Sequence, residues 1–279
     1  MSIKALVGSM AMSLAMLVAA PAGANTELVL GVSEGTSGGT DHARVIAKYG
    51  GLAEVLGRAL KRKVSVVFLR EFASMDEGMK SGRLDLLMAR PSDYPARGMR
   101  DQGYQFVASA KPDGQCIVMA GKNSPLQRLD EARGKRWVMP EQVSYMSKFC
   151  AAELRDRGIK VATEKVQFVR EQGAVPFYID NNFADVGVVA SYSGVAKNLE
   201  KTGHKVLHKS VLQPYFPLVA HKQFTPEQVR AMQAELARLP DSDAGKEVLS
   251  TIGIKAFDTQ AGERMAVLLK WLEGGASAQ

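Results

Sequence analysis

The sequence predicts an α/β protein of two lobes. Up to Ala89, strand-like runs alternate with helical ones, which is typical of a parallel sheet covered on both faces by helices. Two strand-like runs, 104–110 and 115–120, then follow each other with only Lys-Pro-Asp-Gly between them, and the alternation restarts. Two further runs, 205–212 and 215–221, resemble a return crossing. We therefore expect one lobe from residues 25–112 and 216–279 and a second lobe from residues 113–215.

The first lobe begins with a strand and a glycine-rich turn. The strand is predicted at 27–32 and the turn at 35–40, where Thr40 or Asp41 can cap the next helix. That helix, 42–60, places its apolar residues at helical spacing, so we expect one face to be buried. The other elements predicted here are a strand at 63–69, a short helix at 74–80 and a strand at 84–89.

The second lobe repeats the alternation. After His221 the tail is expected to be helical, with Thr225 as the N-cap of a helix that Pro226 opens. A last helix is predicted at 260–273. Within the lobe, the predicted helices are 126–132, 144–157 and 175–181, and the predicted strands are 135–139, 165–169 and 184–189.

The first 24 residues have the pattern of an export signal. A short basic start ends at Lys4, and the run from Ala5 to Ala20 carries no charge. Pro21 and the small residues Ala22-Gly23-Ala24 form a cleavage region, so we expect the mature chain to begin at Asn25. The apolar run is shorter than the roughly 20 residues that span a bilayer. An uncleaved anchor is the alternative.

The charge balance is moderately basic. The chain has 36 Lys and Arg residues against 29 Asp and Glu residues, for a formal net charge of +7. The cationic residues are scattered, apart from a cluster at Arg58, Lys61, Arg62 and Lys63. Such an excess favours anionic ligands or a membrane surface, and export makes nucleic acid an improbable partner.

Two cysteines, Cys116 and Cys150, remain in an exported chain, where disulfides persist. A bridge over that separation would stabilise the fold by roughly 4 kcal/mol on the chain-entropy account. Three arrangements stay open: a structural disulfide, two separate thiols, or a thiol site for a soft metal or metalloid.

Three segments carry family-like motifs. KSGRLDLL at 80–87, followed by RPSDY at 90–94, is the first. SPLQRLDEARGKR at 124–136 is the second, and ADVGVV at 184–189 is the third. In order and spacing they resemble the periplasmic solute-binding proteins of ABC transporters, in the phosphate, phosphite and phosphonate branch of the type II periplasmic binding protein superfamily. The resemblance covers nearly the whole mature chain.

The resemblance implies two α/β lobes with a ligand cleft between them. Helix N-termini that point into such a cleft bind oxyanions through free main-chain N–H groups. Gln172 and Tyr192 are expected on the rim of the cleft. The candidate ligand-binding residues are Thr36, Ser37, Arg90, Ser92, Tyr94, Ser144, Tyr145, Met146, Arg170 and Ser191.

The chain departs from the phosphonate-binding pattern at two positions. Where family members have a Ser-x-Ser-Gly turn, this chain has Ser144-Tyr145-Met146-Ser147, which is bulkier and more apolar. Where they have a His-Asp pair, it has Arg170-Glu171, and Arg170 can hold a carboxylate or another oxyanion with its guanidinium fork. The identity of the anion is therefore left open.

The predicted function is a periplasmic binding protein that captures a small anion by lobe closure. It would deliver that anion to an ABC permease or a sensor kinase, as a monomer, without catalysis, cofactor or metal. One alternative is a thiol-dependent metalloid sensor. Another is an exported hydrolase, because Gly31-Val32-Ser33-Glu34-Gly35 fits the G-x-S-x-G pattern of a nucleophile elbow. The catalytic partners of Ser33 would be Asp185 and one histidine, which could be His204, His208 or His221.

Overall fold

The computed structural model describes residues 27–36 and 41–274. The predicted export signal lies outside the described residues, so it stays a prediction, and Ser37 lies outside them too. In the described ranges the strands are β1 (Leu28–Ser33), β2 (Val64–Phe68), β3 (Leu86–Ala89), β4 (Gln105–Gly114), β5 (Cys116–Ala120), β6 (Arg136–Pro140), β7 (Lys165–Val169), β8 (Val186–Ala190), β9 (Lys205–Lys209), β10 (Gln213–Ala220) and β11 (Ala256–Asp258). The helices are α1 (His42–Leu60), α2 (Phe72–Lys80), α3 (Asp93–Arg97), α4 (Tyr145–Asp156), α5 (Val175–Asp180), α6 (Gly194–Thr202), α7 (Pro226–Arg238), α8 (Asp243–Ile252) and α9 (Gly262–Leu272).

The strands form two sheets, one in each lobe. The first has the order β11-β4-β10-β3-β1-β2, and the second has the order β7-β6-β8-β5-β9. In the first sheet β1 runs parallel to β2 and β3, whereas β10 runs antiparallel to β3 and β4. In the second sheet β6 is parallel to β7 and β8, and β5 is antiparallel to β8 and β9. The predicted two-lobed α/β fold is confirmed.

The chain crosses between the sheets twice. The first crossing is abrupt, because β4 ends at Gly114 and β5 begins at Cys116. The return lies between β9 and β10. The residue limits predicted for the lobes stay a prediction.

The Lys-Pro-Asp-Gly segment was expected to lie between two strands, but it belongs to a strand itself. It forms the end of β4, where Lys111 is in register with Ala256 of β11 and Gly114 with Gln213 of β10. Strand partners on both sides hold this segment extended, so long-range pairing outweighs the local turn preference.

Helix α1 packs on the first sheet as predicted. Asp41 is its N-cap, and the Asp41 side chain accepts a hydrogen bond from Arg44 N at 3.0 Å. The buried face joins Leu30 and Val32 of β1 in one apolar core. Its members in α1 are Val45, Tyr49, Leu52, Ala53, Val55, Leu56 and Leu60.

The core of the second lobe includes helix α9 from the tail of the chain. Trp271 is fully buried, and its ring centroid is 5.4 Å from that of Phe149 in α4. Cys116 and Cys150 lie in the same core and form a disulfide, with their Cα atoms 5.4 Å apart. This bridge ties the first strand after the crossing to α4, and the chain has no other cysteine.

Some predicted helices differ from the observed ones. Only a 3-10 turn at Leu129–Ala132 forms in the predicted helix 126–132, whereas α3 and α6 were not predicted. No helix in the described ranges is long and apolar enough to cross a membrane.

Candidate ligand-binding cleft

The two lobes meet at a cleft formed by the carboxyl ends of strands. The loops after β1 and β3 reach it from the first lobe, and the start of α4 and the loops after β7 and β8 reach it from the second. This edge is where open α/β sheets usually bind ligands. Among the described residues, two adjoining spaces lie in the cleft, and we name them the inner space and the outer pocket.

The inner space is nearly filled by side chains. Its volume is about 10 Å³. That is room for about one water molecule. It is lined by Glu34, Gly35, Thr36, Phe72, Arg90, Pro91, Ser144, Tyr145, Met146, Gln172 and Tyr192.

The outer pocket has a volume of about 520 Å³. Pockets that bind small molecules commonly measure roughly 300–1,000 Å³. The pocket adjoins the inner space, since Gly35, Thr36 and Phe72 line both. Its other lining residues are Phe68, Leu69, Arg70, Glu71, Glu141, Phe168, Val169, Arg170 and Glu171.

A buried ion pair between Glu34 and Arg90 lies beside the inner space. Arg90 Nε donates to Glu34 Oε2 at 3.1 Å, and Lys48 Nζ donates to Glu34 Oε1 at 2.7 Å. The Tyr49 hydroxyl also donates to Glu34 Oε1. Burial alone would raise the pKa of Glu34, but Arg90 and Lys48 outweigh it and hold this pKa below its ordinary value. Glu34 is therefore an anion that balances a buried cation.

The Arg90 guanidinium has a spare donor. Its Cζ atom lies 4.5 Å from the Phe216 ring centroid and 5.3 Å from that of Tyr192. Arg90 Nη1 is buried and has no hydrogen-bond partner among the described residues. Tyr49 and Tyr215 are near enough to favour the charge on Arg90, but neither hydroxyl meets Nη1 in hydrogen-bond geometry. A buried donor without a partner is costly, and a ligand oxygen would satisfy it.

The N-terminus of α4 faces the inner space from the other lobe. Ser144 is the N-cap, and its Oγ accepts from Ser147 N at 3.3 Å. Tyr145 and Met146 follow in the first turn, where main-chain N–H groups have no partner within the helix. The Tyr145 hydroxyl is buried without a hydrogen-bond partner in the described part of the chain, although Ser92 lies near it. Burial raises the pKa of Tyr145 far above its ordinary value, so this hydroxyl keeps its proton and can donate.

Hydrogen bonds join the lobes directly across the cleft. Gln172 N donates to Thr36 O, and Gln172 Nε2 donates to Thr36 Oγ1, each at 3.1 Å. Gln172 Oε1 accepts from Ala190 N at 2.6 Å, which fixes the amide within the second lobe. Lys148 Nζ of α4 lies 2.9 Å from Asp93 Oδ2 of α3. The lobes are therefore in contact, as in a closed binding protein.

The family of the chain follows from a match over most of its length. A family model described as ABC transporter, phosphonate, periplasmic substrate-binding protein matches residues 39–263. The chain belongs to this family. The predicted resemblance is confirmed, and so is the predicted role as a solute-binding protein of the ABC-transporter type. Members of this phosphonate-binding family are exported transport proteins.

Solved structures of several other proteins share the fold. PhnD1 of Prochlorococcus marinus in complex with methylphosphonate has a TM-score of 0.71 at 11% identity, covering 88% of this chain and 97% of its own. A binding protein component of an ABC phosphonate transporter from Pseudomonas aeruginosa has a TM-score of 0.65 at 13% identity, covering 88% and 85%. A Xanthomonas citri protein bound to ATP has a TM-score of 0.70 at 13% identity, covering 88% and 97%.

The candidate residues of this phosphonate-binding family member divide into two groups. Thr36, Arg90, Ser144, Tyr145 and Met146 come together around the inner space, with the expected rim residues Gln172 and Tyr192. Arg170 lies instead in the outer pocket, where its Nη2 is 3.8 Å from Glu71 Oε1.

Ser92, Tyr94 and Ser191 line neither space. Ser92 Oγ donates to Arg90 O and accepts from Phe216 N, so it supports the loop behind Arg90. The Tyr94 ring stacks on Phe72 at 5.9 Å between centroids. Ser191 Oγ accepts from Gln115 N at 3.0 Å, at the first crossing. Ser37 lies outside the described residues.

Sequence reasoning missed Glu34, Tyr49 and Phe72. Glu34 directly follows β1, where ligand residues are common, and this position was the only available signal. Its burial depends on Arg90, which is 56 residues away. From sequence alone, a carboxylate in a glycine-rich turn is expected to be a solvated surface group, because the pairing with Arg90 is not visible there.

The two alternative functions are not supported. Ser33 is buried at the end of β1, whereas Asp185 pairs with Arg136, His204 with Asp180 and His208 with Glu153, all within the second lobe. His221 packs on Tyr104. The disulfide removes both thiols of the proposed metalloid site. No group of side chains suited to a metal occurs in residues 27–36 and 41–274.

Proposed function

We propose that this protein is a periplasmic receptor that binds an organic anion in the closed cleft and delivers it to an ABC permease. One oxygen of the anionic head group occupies the inner space. It accepts hydrogen bonds from Arg90 Nη1 and the Tyr145 hydroxyl. The protein acts by binding and lobe closure, as a monomer and without catalysis.

The observation that carries this proposal is the pair of unpartnered donors. Arg90 is 7% exposed and Tyr145 is 2% exposed. Each has a polar atom without a hydrogen-bond partner among the described residues, and the two residues come from opposite lobes. An oxygen that satisfies both donors would therefore stabilise the closed arrangement over the open one.

The N-terminus of α4 supports the same location. Its first-turn N–H groups and the helix dipole favour a negative charge next to Tyr145 and Met146. Glu34 balances the charge of Arg90, so the site attracts an anion through directed donors more than through net charge.

The similar structures are consistent with an anionic ligand. The Prochlorococcus marinus protein is in complex with methylphosphonate and the Xanthomonas citri protein is bound to ATP. Both ligands are oxyanions, but they differ greatly in size. The fold therefore accommodates oxyanions of very different size, and the residues of the cleft decide which ligand binds.

Isothermal titration tests the proposal with phosphate, phosphite, sulfate, methylphosphonate and acetate. We expect one-to-one binding of at least one of these anions. Tyr145→Phe should weaken that binding by about 10- to 100-fold, because a hydrogen bond to a charged group contributes roughly 1.5–3 kcal/mol. Tyr178→Phe, in α5 and outside both spaces, is the matched control and should leave the affinity unchanged. Equal affinity in the wild type and Tyr145→Phe would overturn the assignment.

Export and partner are part of the same proposal. N-terminal sequencing of protein purified from a periplasmic fraction should give Asn25 as the first residue. A sensor kinase is the alternative receiver. The two receivers can be distinguished by deleting the permease gene that lies next to the gene for this protein. Loss of uptake of the bound anion would favour transport. Unchanged uptake, together with loss of a transcriptional response to the anion when the binding protein is deleted, would favour the kinase.

A further inference from the structure

We propose that the outer pocket binds a large, preferably aromatic substituent of the anion that carries no second negative charge. The solute is then an aryl-substituted or comparably bulky organic anion, and not an inorganic one. This inference rests on the proposed function, because the inner space is assigned there to the anionic head group.

The first argument is the size of the two spaces. The inner space, about 10 Å³, admits a single oxygen, whereas the adjoining outer pocket has about 520 Å³. A phosphate or sulfate ion held at Arg90 would leave most of the outer pocket without ligand contacts. A ligand that fills the closed cleft must extend past Thr36 and Phe72, which line both spaces.

The second argument is that three aromatic side chains lie among the residues that line the outer pocket. Phe68 and Phe72 line it from the first lobe, and Phe168 lines it from the second. Phe168 is 41% exposed, although it is a large apolar side chain at the end of a strand. A ring placed in the pocket would cover this apolar surface from both lobes, which favours binding through the hydrophobic effect and ring contacts.

The third argument is the charge of the side chains that line the outer pocket. Arg70 and Arg170 face three carboxylates, those of Glu71, Glu141 and Glu171. Burial raises the pKa of Glu171 despite the opposing effect of Arg170 and Arg70, so this carboxyl holds its proton more readily than usual. The carboxylates therefore outnumber the guanidinium groups in this lining. Such a pocket offers little attraction to a second anionic group on the substituent, such as a polyphosphate.

Titration with three phosphonates that share one head group tests the inference. The probes are methylphosphonate, 2-aminoethylphosphonate and benzylphosphonate, and acetate and phenylacetate repeat the comparison with a carboxylate head. We expect the aromatic probe of each series to bind at least about tenfold more tightly than its small counterpart. Phe168→Ala should remove most of that gain and change the affinity for methylphosphonate or acetate by less than about twofold.

Phe183→Ala is the matched control. Phe183 is 51% exposed in the second lobe and lines neither space, so its loss should change no affinity. Equal affinities for the small and aromatic probes, or an equal loss for both in Phe168→Ala, would overturn the inference and leave the proposed function standing. If no probe binds, or if Tyr145→Phe binds all probes as the wild type does, the proposed function itself fails and the inference fails with it.

Discussion

Gln172 and Thr36 hold the two lobes together through a main-chain and a side-chain hydrogen bond, each 3.1 Å long. The Gln172 amide is at the same time anchored to Ala190 N in its own lobe. One glutamine thus connects the loop after β1 with the end of β8. We therefore expect this side chain to favour contact between the lobes.

Gln172→Ala should shift the protein towards an open form. The variant loses the bonds to Thr36 Oγ1 and Ala190 N, each worth about 1 kcal/mol. Small-angle X-ray scattering should show a larger radius of gyration for the ligand-free variant than for the wild type. Its anion affinity should fall about tenfold, because closure then costs more of the binding free energy.

Gln233→Ala is the control for this prediction. Gln233 Nε2 donates to Val107 O at 3.2 Å within the first lobe, so its loss removes a similar bond but none across the cleft. An unchanged radius of gyration in Gln172→Ala, or an equal change in Gln233→Ala, would contradict the role of Gln172 in closure.

Glu34→Gln should destabilise the protein by about 3 kcal/mol, because it leaves the Arg90 cation buried without its counter-charge. Urea unfolding measures the loss. Glu77→Gln is the exposed control, since Glu77 pairs with Arg83 on the surface and its change should stay within about 0.5 kcal/mol. Equal destabilisation by the two substitutions would show that the buried pair does not stabilise the fold.

The contribution of Glu34 should depend on pH. Its pKa is lower in the folded protein than the ordinary value of 4.5, so the unfolded chain takes up this proton first as the pH falls. The stabilisation is therefore complete above pH 4.5 and is lost as the pH falls through the folded pKa. The difference in free energy of unfolding between wild type and Glu34→Gln should shrink on acidification. A difference that stays constant or grows between neutral pH and pH 3 would contradict this linkage.

Replacing both cysteines by alanine should lower the free energy of unfolding by about 4 kcal/mol, because the bridge spans 34 residues and restricts the unfolded chain. Guanidinium unfolding of wild type and Cys116→Ala/Cys150→Ala measures the effect. A reducing agent should destabilise the wild type and leave the variant unaffected. Equal unfolding midpoints for wild type and variant would contradict a stabilising bridge.

The fold was predictable because its signals are local. Alternating strands and helices identified both sheets, and Asp41, Ser144 and Thr225 were recognised as helix caps or helix starts from residue type and spacing. The expectation that Lys111–Gly114 only links two strands was wrong, because strands β10 and β11, which come much later in the chain, pair with this segment and make it part of β4. Strand pairing between segments so far apart in the chain cannot be predicted from the residues of either segment alone.

The site was predictable only in part, for a similar reason. Residues just beyond strand ends, such as Thr36 and Arg90, could be proposed from topology alone. The outer pocket could not, since Phe72 and Phe168 line it from two separate lobes. Glu34 required knowledge of a partner in another loop.

An anion oxygen is proposed to enter the inner space between the lobes. A crystal structure of the protein with the tightest-binding probe tests this placement. We predict one ligand oxygen within about 3.2 Å of both Arg90 Nη1 and the Tyr145 hydroxyl. A ligand bound outside the cleft, or one in the cleft that leaves both of these donors unpaired, would contradict the account.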